Sequence, residues 1–163
     1  MDHMLKFIGL LFIFFGFSLG GHLLVKRERE RIESSEGLLC LIRFVRQNVA
    51  FFRIPLSDIY KQFSYPALQK GNFLVHLYQM GLKHAYLSEK ERFAHDSFTE
   101  NRFLSFAETI GKLPLDEQIH SCDLIIELLE EKLRDSKAKY PTQKKLYQVL
   151  SISLGIAVII LFL

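Results

Sequence analysis

The sequence has no tryptophan, four prolines and only two cysteines in 163 residues. Two cysteines are too few for a disulfide-stapled scaffold, and Cys40 and Cys122 both lie in amphipathic helical patterns without ligand-like neighbours. We therefore expect both to be buried free thiols. The formal net charge of +3 is too small to indicate a nucleic-acid partner. Strand-like alternation, internal repeats and low-complexity stretches are also missing, which favours an all-α fold.

The usual motifs of catalysis are absent from the sequence. It contains no glycine-rich phosphate loop, no Gly-x-Ser-x-Gly and no His-Glu-x-x-His. The six histidines are scattered, and the acidic cluster of Glu127, Glu130 and Glu131 is typical of a solvated helix face. We expect no catalytic residue, cofactor or metal, and hence no enzyme. A membrane-bound enzyme with an unrecognised site is the alternative from another functional class.

What the chain does contain is a long apolar run at each end. The first, Phe7–Val25, would rise about 28 Å as a helix, close to the hydrocarbon thickness of a bilayer. A cleaved signal peptide would need a more basic start and a shorter run, so we predict an uncleaved transmembrane helix over residues 5–25. The second run, residues 146–163, has no charged residue and predicts a second transmembrane helix.

The flanks of these runs predict their orientation. Lysines and arginines follow the first run and precede the second, and such residues remain in the cytoplasm (Lys26, Arg27, Arg29, Arg31, Lys137, Lys139, Lys144, Lys145). We therefore expect a multi-pass protein of the cell membrane, with residues 26–145 as a cytoplasmic helical domain and both chain ends outside. The lipid bilayer is thus an expected partner.

Each apolar run also carries a pair of small residues four positions apart. Gly16 and Gly20 form one pair, and Ser151 and Gly155 form the other, at about the same depth from the cytoplasmic side. Small residues let helices approach closely in lipid, so we expect these four to pack the two helices together or to contact another membrane component.

The cytoplasmic domain is predicted to be a bundle of helices. A helix over residues 26–52 has no breaker before it, so it can continue the first apolar run, and Pro55 ends it. A short helix follows, then one over residues 66–80. The spacings Ser88–Glu91 and Ser97–Glu100 match capping boxes, each of which predicts a helix start.

The last cytoplasmic helix has the clearest periodicity. Its apolar residues recur at alternating steps of three and four, which predicts a core-facing seam (Ile119, Cys122, Ile126, Leu129, Leu133). Glu130 and Arg134 are spaced as an i,i+4 ion pair. The charges at Asp123, Glu127 and Glu131 are candidates for a partner-binding surface. Pro141 predicts a kink or break before the second apolar run.

The order of these parts resembles the stage III sporulation protein AB family over essentially the whole chain. The landmarks are Pro55-Leu56, Ile110-Gly111 with Gln118 after it, and the closing Lys145-Leu146-Tyr147, Leu150, Gly155 and Val158-Ile159-Ile160-Leu161. Two positions depart from the family pattern, since Pro114 replaces an aspartate and Ser151 replaces a glycine.

The resemblance implies a function. The family's cytoplasmic domain is similar to the helical domain of platform proteins in type II secretion and type IV pilus machines. It implies a platform subunit of a secretion-like channel between mother cell and forespore, with a cytoplasmic ATPase, stage III sporulation protein AA, and other membrane components as partners. A platform component of a secretion or pilus system is the alternative, although full-length platform proteins carry two such domains and this chain has one.

Overall fold

The computed structural model describes residues 2–52 and 54–162, without the side chains of residues 2–15, 17, 18, 52, 159, 161 and 162. The described chain contains no strand, which confirms the all-α prediction. Its helices are α1 (Asp2–Phe52), α2 (Leu56–Gln62), α3 (Pro66–Gln69), α4 (Phe73–Met80), α5 (Leu82–Ser88), α6 (Ser97–Thr109) and α7 (Leu115–Phe162). One turn of 3₁₀ helix, Lys90–Arg92, lies between α5 and α6.

The chain divides into two compact units. The terminal unit consists of Met1–Arg29 and Lys137–Leu163, and the central unit of Glu30–Ser136. Helices α1 and α7 contribute residues to both. The sequence predicts that the cytoplasmic domain begins after residue 25 and ends at residue 145, where the transmembrane helices would adjoin it. These boundaries stay a prediction.

The core of the central unit is built on one face of α1. Five apolar residues at helical spacing are almost completely buried there (Leu38, Leu41, Ile42, Val45, Val49). Cys122, Ile125 and Leu129 of α7 belong to the same core. The periodic seam of the last helix therefore faces the domain core. Cys122 is a buried free thiol, as expected, whereas Cys40 is free and only partly buried.

Aromatic rings form the part of this core that lies among α4, α5 and α6. Phe93 stacks on Tyr86 with ring centroids 5.1 Å apart, and its edge meets Phe73 at 5.6 Å. Phe103 of α6 contacts Tyr86 at 4.6 Å. Aromatic pairs in such geometries add about 0.5–1.5 kcal/mol beyond the area they bury. Three of the phenylalanines thus stabilise the packing of α4, α5 and α6.

The helix predicted over residues 66–80 is interrupted in the structure. The segment between α3 and α4 turns at Gly71, where an added methyl group would lie 2.1 Å from Arg92 Nη1 and 2.5 Å from Glu89 Oε1. The Glu89 carboxylate also accepts a hydrogen bond from the Asn72 N–H, and Arg92 donates to the Ala67 carbonyl at 2.7 Å. These long-range contacts stabilise the turn, and the local helical pattern could not reveal them.

The two capping predictions have different outcomes. The helix predicted to start at Ser88 is wrong, because Ser88 is the last residue of α5 and its hydroxyl donates to the Ala85 carbonyl at 2.9 Å. Helix α6 begins at Ser97 as predicted, but its N-cap is Asp96, whose carboxylate accepts a 3.0 Å hydrogen bond from the Thr99 N–H.

Pro141 does not end the last helix. It lies inside α7, which runs from Leu115 to Phe162, so a break at this position is wrong and the alternative, a kink, stays a prediction. A proline removes one backbone hydrogen bond but does not have to terminate a long helix with favourable turns on both sides. The continuity of α1 across residues 25 and 26 is confirmed.

The predicted transmembrane segments, residues 5–25 and 146–163, are helical wherever the structure describes them. Within the described part of the chain, however, no helix is both long enough and apolar enough to cross a membrane. The side chains of residues 5–15, 17 and 18 lie outside that part. The helical part of the prediction is confirmed, and its transmembrane part is not supported by the described residues.

Candidate partner-binding surface

The acidic residues predicted as a partner surface lie on the exposed side of α7, and one of them, Asp123, forms an ion pair within the chain. Asp123 accepts hydrogen bonds from both Nε and Nη2 of Arg46 on α1. The hydrogen bond from Arg46 is the main reason that the pKa of Asp123 is lowered. A carboxylate held in this way is less available to a partner than one that faces only water.

A second ion pair joins the same two helices. Arg43 Nη2 lies 2.6 Å from Glu130 Oε1, so Glu130 pairs across to α1 and not with Arg134 along its own helix. Both side chains are about half exposed, and such pairs contribute at most about 1 kcal/mol. The pairing was not predictable from α7 alone, because it depends on which face of α1 lies beside it.

Glu127 and Glu131 are the exposed acids that remain on this side of α7. Among the described residues, neither has an ion-pair partner within the usual 4 Å. They are one helical turn apart, at i and i+4, so their carboxylates reinforce each other as an acidic patch. Asp123 is therefore paired within the chain, whereas Glu127 and Glu131 are exposed, and the binding of a partner by these acids stays a prediction.

An apolar groove that the sequence did not predict lies between α6 and α7. The α6–α7 groove is lined by apolar side chains, by hydroxyls and by one guanidinium, and it has a volume of about 340 Å³ (Phe98, Arg102, Phe106, Ser121, Leu124, Leu128). Phe98 is 57% exposed and Leu124 is 54% exposed. Arg102 lies over the Phe98 ring, with its Cζ 5.4 Å from the ring centroid.

The sequence carried a signal for this groove. Leu124 and Leu128 are four positions apart but lie outside the seam of Cys122, Ile126 and Leu129, so they form a second apolar stripe on the same helix. Phe98 is an exposed aromatic residue in the first turn of α6. An apolar stripe out of phase with the core indicates a surface that can contact another molecule.

The small residues predicted to pack the terminal helices have different surroundings, and their role in packing stays a prediction. A methyl group added at Gly21 would lie 2.0 Å from the hydroxyl of Ser151 and 3.2 Å from the Tyr147 carbonyl oxygen. The Ser151 hydroxyl itself donates to that carbonyl at 2.7 Å. Helices α1 and α7 therefore meet closely at Gly21 and Ser151 within the terminal unit.

Gly16 and Gly20 do not share this contact. An added methyl group at Gly16 or Gly20 would meet no described atom within 4 Å, and Gly155 is buried. Successive residues of a helix point about 100° apart, so a shift from Gly20 to Gly21 changes the face that is presented. Periodicity alone could not decide between them.

Metal-binding side chains are not clustered in the part of the chain that the structure describes. Within the described part of the chain, no three or more histidine, cysteine, aspartate or glutamate residues come together as a candidate metal site. The expectation that the chain has no metal and no catalytic site stays a prediction.

With the fold and this surface described, the chain can be compared with known proteins. Residues 6–163 match the model of the family described as stage III sporulation protein AB. The chain belongs to this family. The match covers the whole central unit and nearly all of α1 and α7. No curated protein and no solved structure matched the chain.

Proposed function

We propose that this chain is a membrane-anchored platform subunit of a secretion-like sporulation assembly between mother cell and forespore. The observation that carries the proposal is the match of residues 6–163 to the stage III sporulation protein AB family. In this role the central unit docks a cytoplasmic, secretion-type ATPase that resembles stage III sporulation protein AA. The ATPase hydrolyses ATP, and this chain anchors the assembly or transmits its motion.

The apolar ends support the anchoring part of the proposal. Two uncharged runs of about bilayer length, each with a basic flank toward the central unit, are typical of a two-span protein with its middle in the cytoplasm. The contact of Gly21 with Ser151 supports a pair of helices that pack against each other. The anchors would then hold the central unit at the membrane surface.

The central unit supports the docking part. Its core is closely packed from α1 and α7 and from the aromatic residues of α4 to α6, so its surface is presented on a rigid scaffold. Helix α7 carries the exposed acids Glu127 and Glu131, and it also supplies Leu124 and Leu128 to the α6–α7 groove. A partner can therefore contact apolar and charged groups at once, as stable protein interfaces require.

Binding of the full chain to the ATPase tests this proposal. The full chain is reconstituted in phosphatidylcholine nanodiscs, and a purified secretion-type ATPase that resembles stage III sporulation protein AA is added in increasing concentration. We expect saturable binding with a micromolar dissociation constant, which is measured against empty nanodiscs. The double variant Glu127→Lys, Glu131→Lys should weaken binding of the ATPase. The comparison variant Asp58→Lys reverses the charge of one exposed residue of α2 and should weaken binding less. Absence of binding at tens of micromolar would remove the docking role.

A further inference from the structure

The close contact of Gly21 with Ser151 borders a cavity inside the terminal unit. This terminal cavity has a volume of about 400 Å³ and is lined by two residues of α1 and three of α7 (Gly21, His22, Gln148, Ser151, Ile152). Sites for small ligands typically have volumes of about 300–1,000 Å³. Three of the five lining residues carry polar side chains, although both helices are mostly apolar at this level.

The polar side chains of the terminal cavity offer hydrogen-bond donors from both helices. The Ser151 hydroxyl donates to the Tyr147 carbonyl at 2.7 Å, so its proton is already used. The His22 ring and the Gln148 amide are exposed, and neither forms a hydrogen bond or an ion pair with any residue that the structure describes. Both carry N–H groups. The cavity therefore suits a ligand with several acceptor oxygens.

Lysines extend the polar faces of both helices beyond the cavity. Lys26 follows His22 by four residues on α1, and Lys144 precedes Gln148 by four residues on α7, so each lies one helical turn away on the same face. A turn rises about 5.4 Å, which a lysine side chain can span. Both lysines are exposed, and neither has an ion-pair partner among the described residues.

No acidic residue counters these lysines from the same faces. The part of α7 in the terminal unit contains no aspartate or glutamate. On α1 the first acidic residue after His22 is Glu28, six positions later and therefore on a different face of the helix. The fixed charge that can reach a ligand in the terminal cavity is thus positive, which selects an anion.

The depth of the cavity in the proposed topology selects the kind of anion. His22 is three residues inside the end of the predicted transmembrane helix 5–25, and Gln148 is two residues inside the start of 146–163. At 1.5 Å per residue these depths are about 3–5 Å. The headgroup layer, about 5–8 Å thick, lies directly outside the hydrocarbon. Side chains at this depth meet lipid phosphates, and an amide or imidazole left without a partner against acyl chains would cost free energy.

We infer that the terminal cavity binds the phosphate of an anionic phospholipid headgroup in the cytoplasmic leaflet. The N–H groups of His22 and Gln148 donate to phosphate oxygens, while Lys26 and Lys144 balance the negative charge. Ile152, deeper in the span, contacts the first carbons of an acyl chain. This inference rests on the proposed membrane anchoring and adds to it a lipid that the two helices select.

Native mass spectrometry of the full chain in a neutral detergent tests the selectivity. Phosphatidylglycerol and phosphatidylcholine with the same acyl chains are titrated separately, and glycerol 3-phosphate is the soluble probe with the same phosphate chemistry. We expect one phosphatidylglycerol per chain, bound at least about tenfold more tightly than phosphatidylcholine, whose choline cation the lysines repel. Glycerol 3-phosphate should bind far more weakly than either lipid, because it lacks the acyl chains.

Matched variants locate the lipid in the cavity. Gln148→Leu should weaken phosphatidylglycerol about tenfold through the loss of hydrogen bonds to a charged group, and Gln143→Leu, on another face of α7, should leave binding unchanged. Lys144→Gln should weaken it about fivefold and reduce the preference over phosphatidylcholine. Lys139→Gln removes an exposed lysine on another face of the same helix and should change neither value.

Four outcomes would overturn the inference. Equal binding of the two lipids would remove the selectivity, and unchanged binding to both Gln148→Leu and Lys144→Gln would remove the site. Binding of glycerol 3-phosphate as tight as that of the lipid would indicate a soluble phosphate as the ligand. A dimer that is lost in Gln148→Leu would show that a second copy covers the cavity.

The proposed function fails by a different measurement. Release of the chain from membranes by alkaline carbonate would reject the anchoring, whatever lipid the chain binds in detergent. Loss of lipid selectivity in a chain that resists carbonate and still binds the ATPase would reject the lipid site alone.

Discussion

At the scale of single residues, the most unusual side chain of the central unit is the partly buried imidazole of His95. Its Nδ1 lies 2.9 Å from the Tyr86 hydroxyl, and its ring stacks on Tyr86 and Phe93 with centroids 5.9 and 5.8 Å away. Burial lowers the pKa of His95 to about 4, and the positive charge of Arg31 acts in the same direction against the opposing effect of Asp96. The imidazole is therefore neutral in the folded protein at neutral pH.

This lowered pKa makes the stability of the protein depend on pH. Between about pH 6.5 and pH 4 the unfolded chain binds a proton at His95 more readily than the folded chain does, so stability should fall as the pH falls through this range. We expect a loss of about 2 kcal/mol in the free energy of unfolding, since one pKa unit corresponds to about 1.4 kcal/mol and the ring is only partly buried. Urea unfolding of the full chain in mild detergent at several pH values measures it.

Two variants identify the group responsible for this pH dependence. His95→Asn should flatten the profile between pH 6.5 and pH 4, because the asparagine side chain does not titrate. His84→Gln, which replaces a histidine whose side chain is exposed to water in the folded protein, is the matched control variant. A profile that persists in His95→Asn would assign the effect to another group.

Gly81 has a backbone conformation that other residues rarely adopt. It lies between α4 and α5 with φ of 83° and ψ of 177°, a region that is accessible essentially only to glycine. Gly81→Ala should therefore lower the free energy of unfolding by about 1–3 kcal/mol even though an added methyl group would meet no described atom within 4 Å. The urea midpoint measures the change, with Gln79→Ala on the exposed face of α4 as the control. An unchanged midpoint for Gly81→Ala would mean that the turn can relax.

At the scale of helices, the contact between α1 and α7 within the central unit has an apolar and a charged part. Leu41, Ile42 and Cys122 contribute to its buried part, and the pairs Arg46–Asp123 and Arg43–Glu130 lie at its exposed edge. Truncation of a buried leucine or isoleucine typically costs about 2–5 kcal/mol, whereas an exposed ion pair contributes at most about 1 kcal/mol. The apolar core thus stabilises the contact, and the ion pairs mainly determine which charges remain for a partner.

A double-mutant cycle tests this division of energy. Arg46→Ala, Asp123→Ala and the double variant should give a coupling energy of about 0.2–1 kcal/mol, whereas Ile42→Ala alone should cost at least about 2 kcal/mol. Urea unfolding of the full chain provides all the values, and the salt dependence of the coupling energy identifies its electrostatic origin. A coupling energy as large as the cost of Ile42→Ala would contradict this ranking.

At the scale of the whole molecule, the proposed topology predicts which residues can be reached from outside the cell. After both native cysteines are replaced, by Cys40→Ser and Cys122→Ala, a single cysteine is introduced by Glu127→Cys or by Asp2→Cys. We expect an impermeant maleimide to label the Asp2→Cys protein in intact protoplasts, and the Glu127→Cys protein only after the membrane is opened, because the basic flanks keep the central unit inside. The mass shift of the labelled chain measures this.

Labelling and mass measurement together test the orientation of the central unit and whether the first apolar run is cleaved. Labelling of Glu127→Cys in intact protoplasts would place the central unit outside and contradict the proposed topology. A mature chain without its first residues, found by mass measurement, would contradict the prediction of an uncleaved anchor over residues 5–25. The alkylation of Glu127→Cys in opened protoplasts serves as the control for reactivity.

Several elements could be predicted from the sequence because they depend on residues that are close together along the chain. The apolar spacing of Leu38, Leu41 and Ile42 fixes a core-facing helix, and Pro55 ends that helix because it cannot continue the hydrogen-bond ladder. The start of α6 at Ser97 was likewise visible. The break at Gly71 was not, because it is held by Glu89 and Arg92, which lie far along the chain.

The sequence by itself determined that the chain is all-α, which face of α1 and of α7 is buried, and that charge is concentrated between two apolar ends. These features follow from residue spacing and hydropathy, which act within one helix. Only the tertiary structure decided that Gly21 and not Gly20 meets Ser151, that Asp123 is paired with Arg46, and that an apolar groove forms between α6 and α7. Those facts depend on how one helix is rotated against another, and many rotations satisfy the same spacing until the whole core is packed.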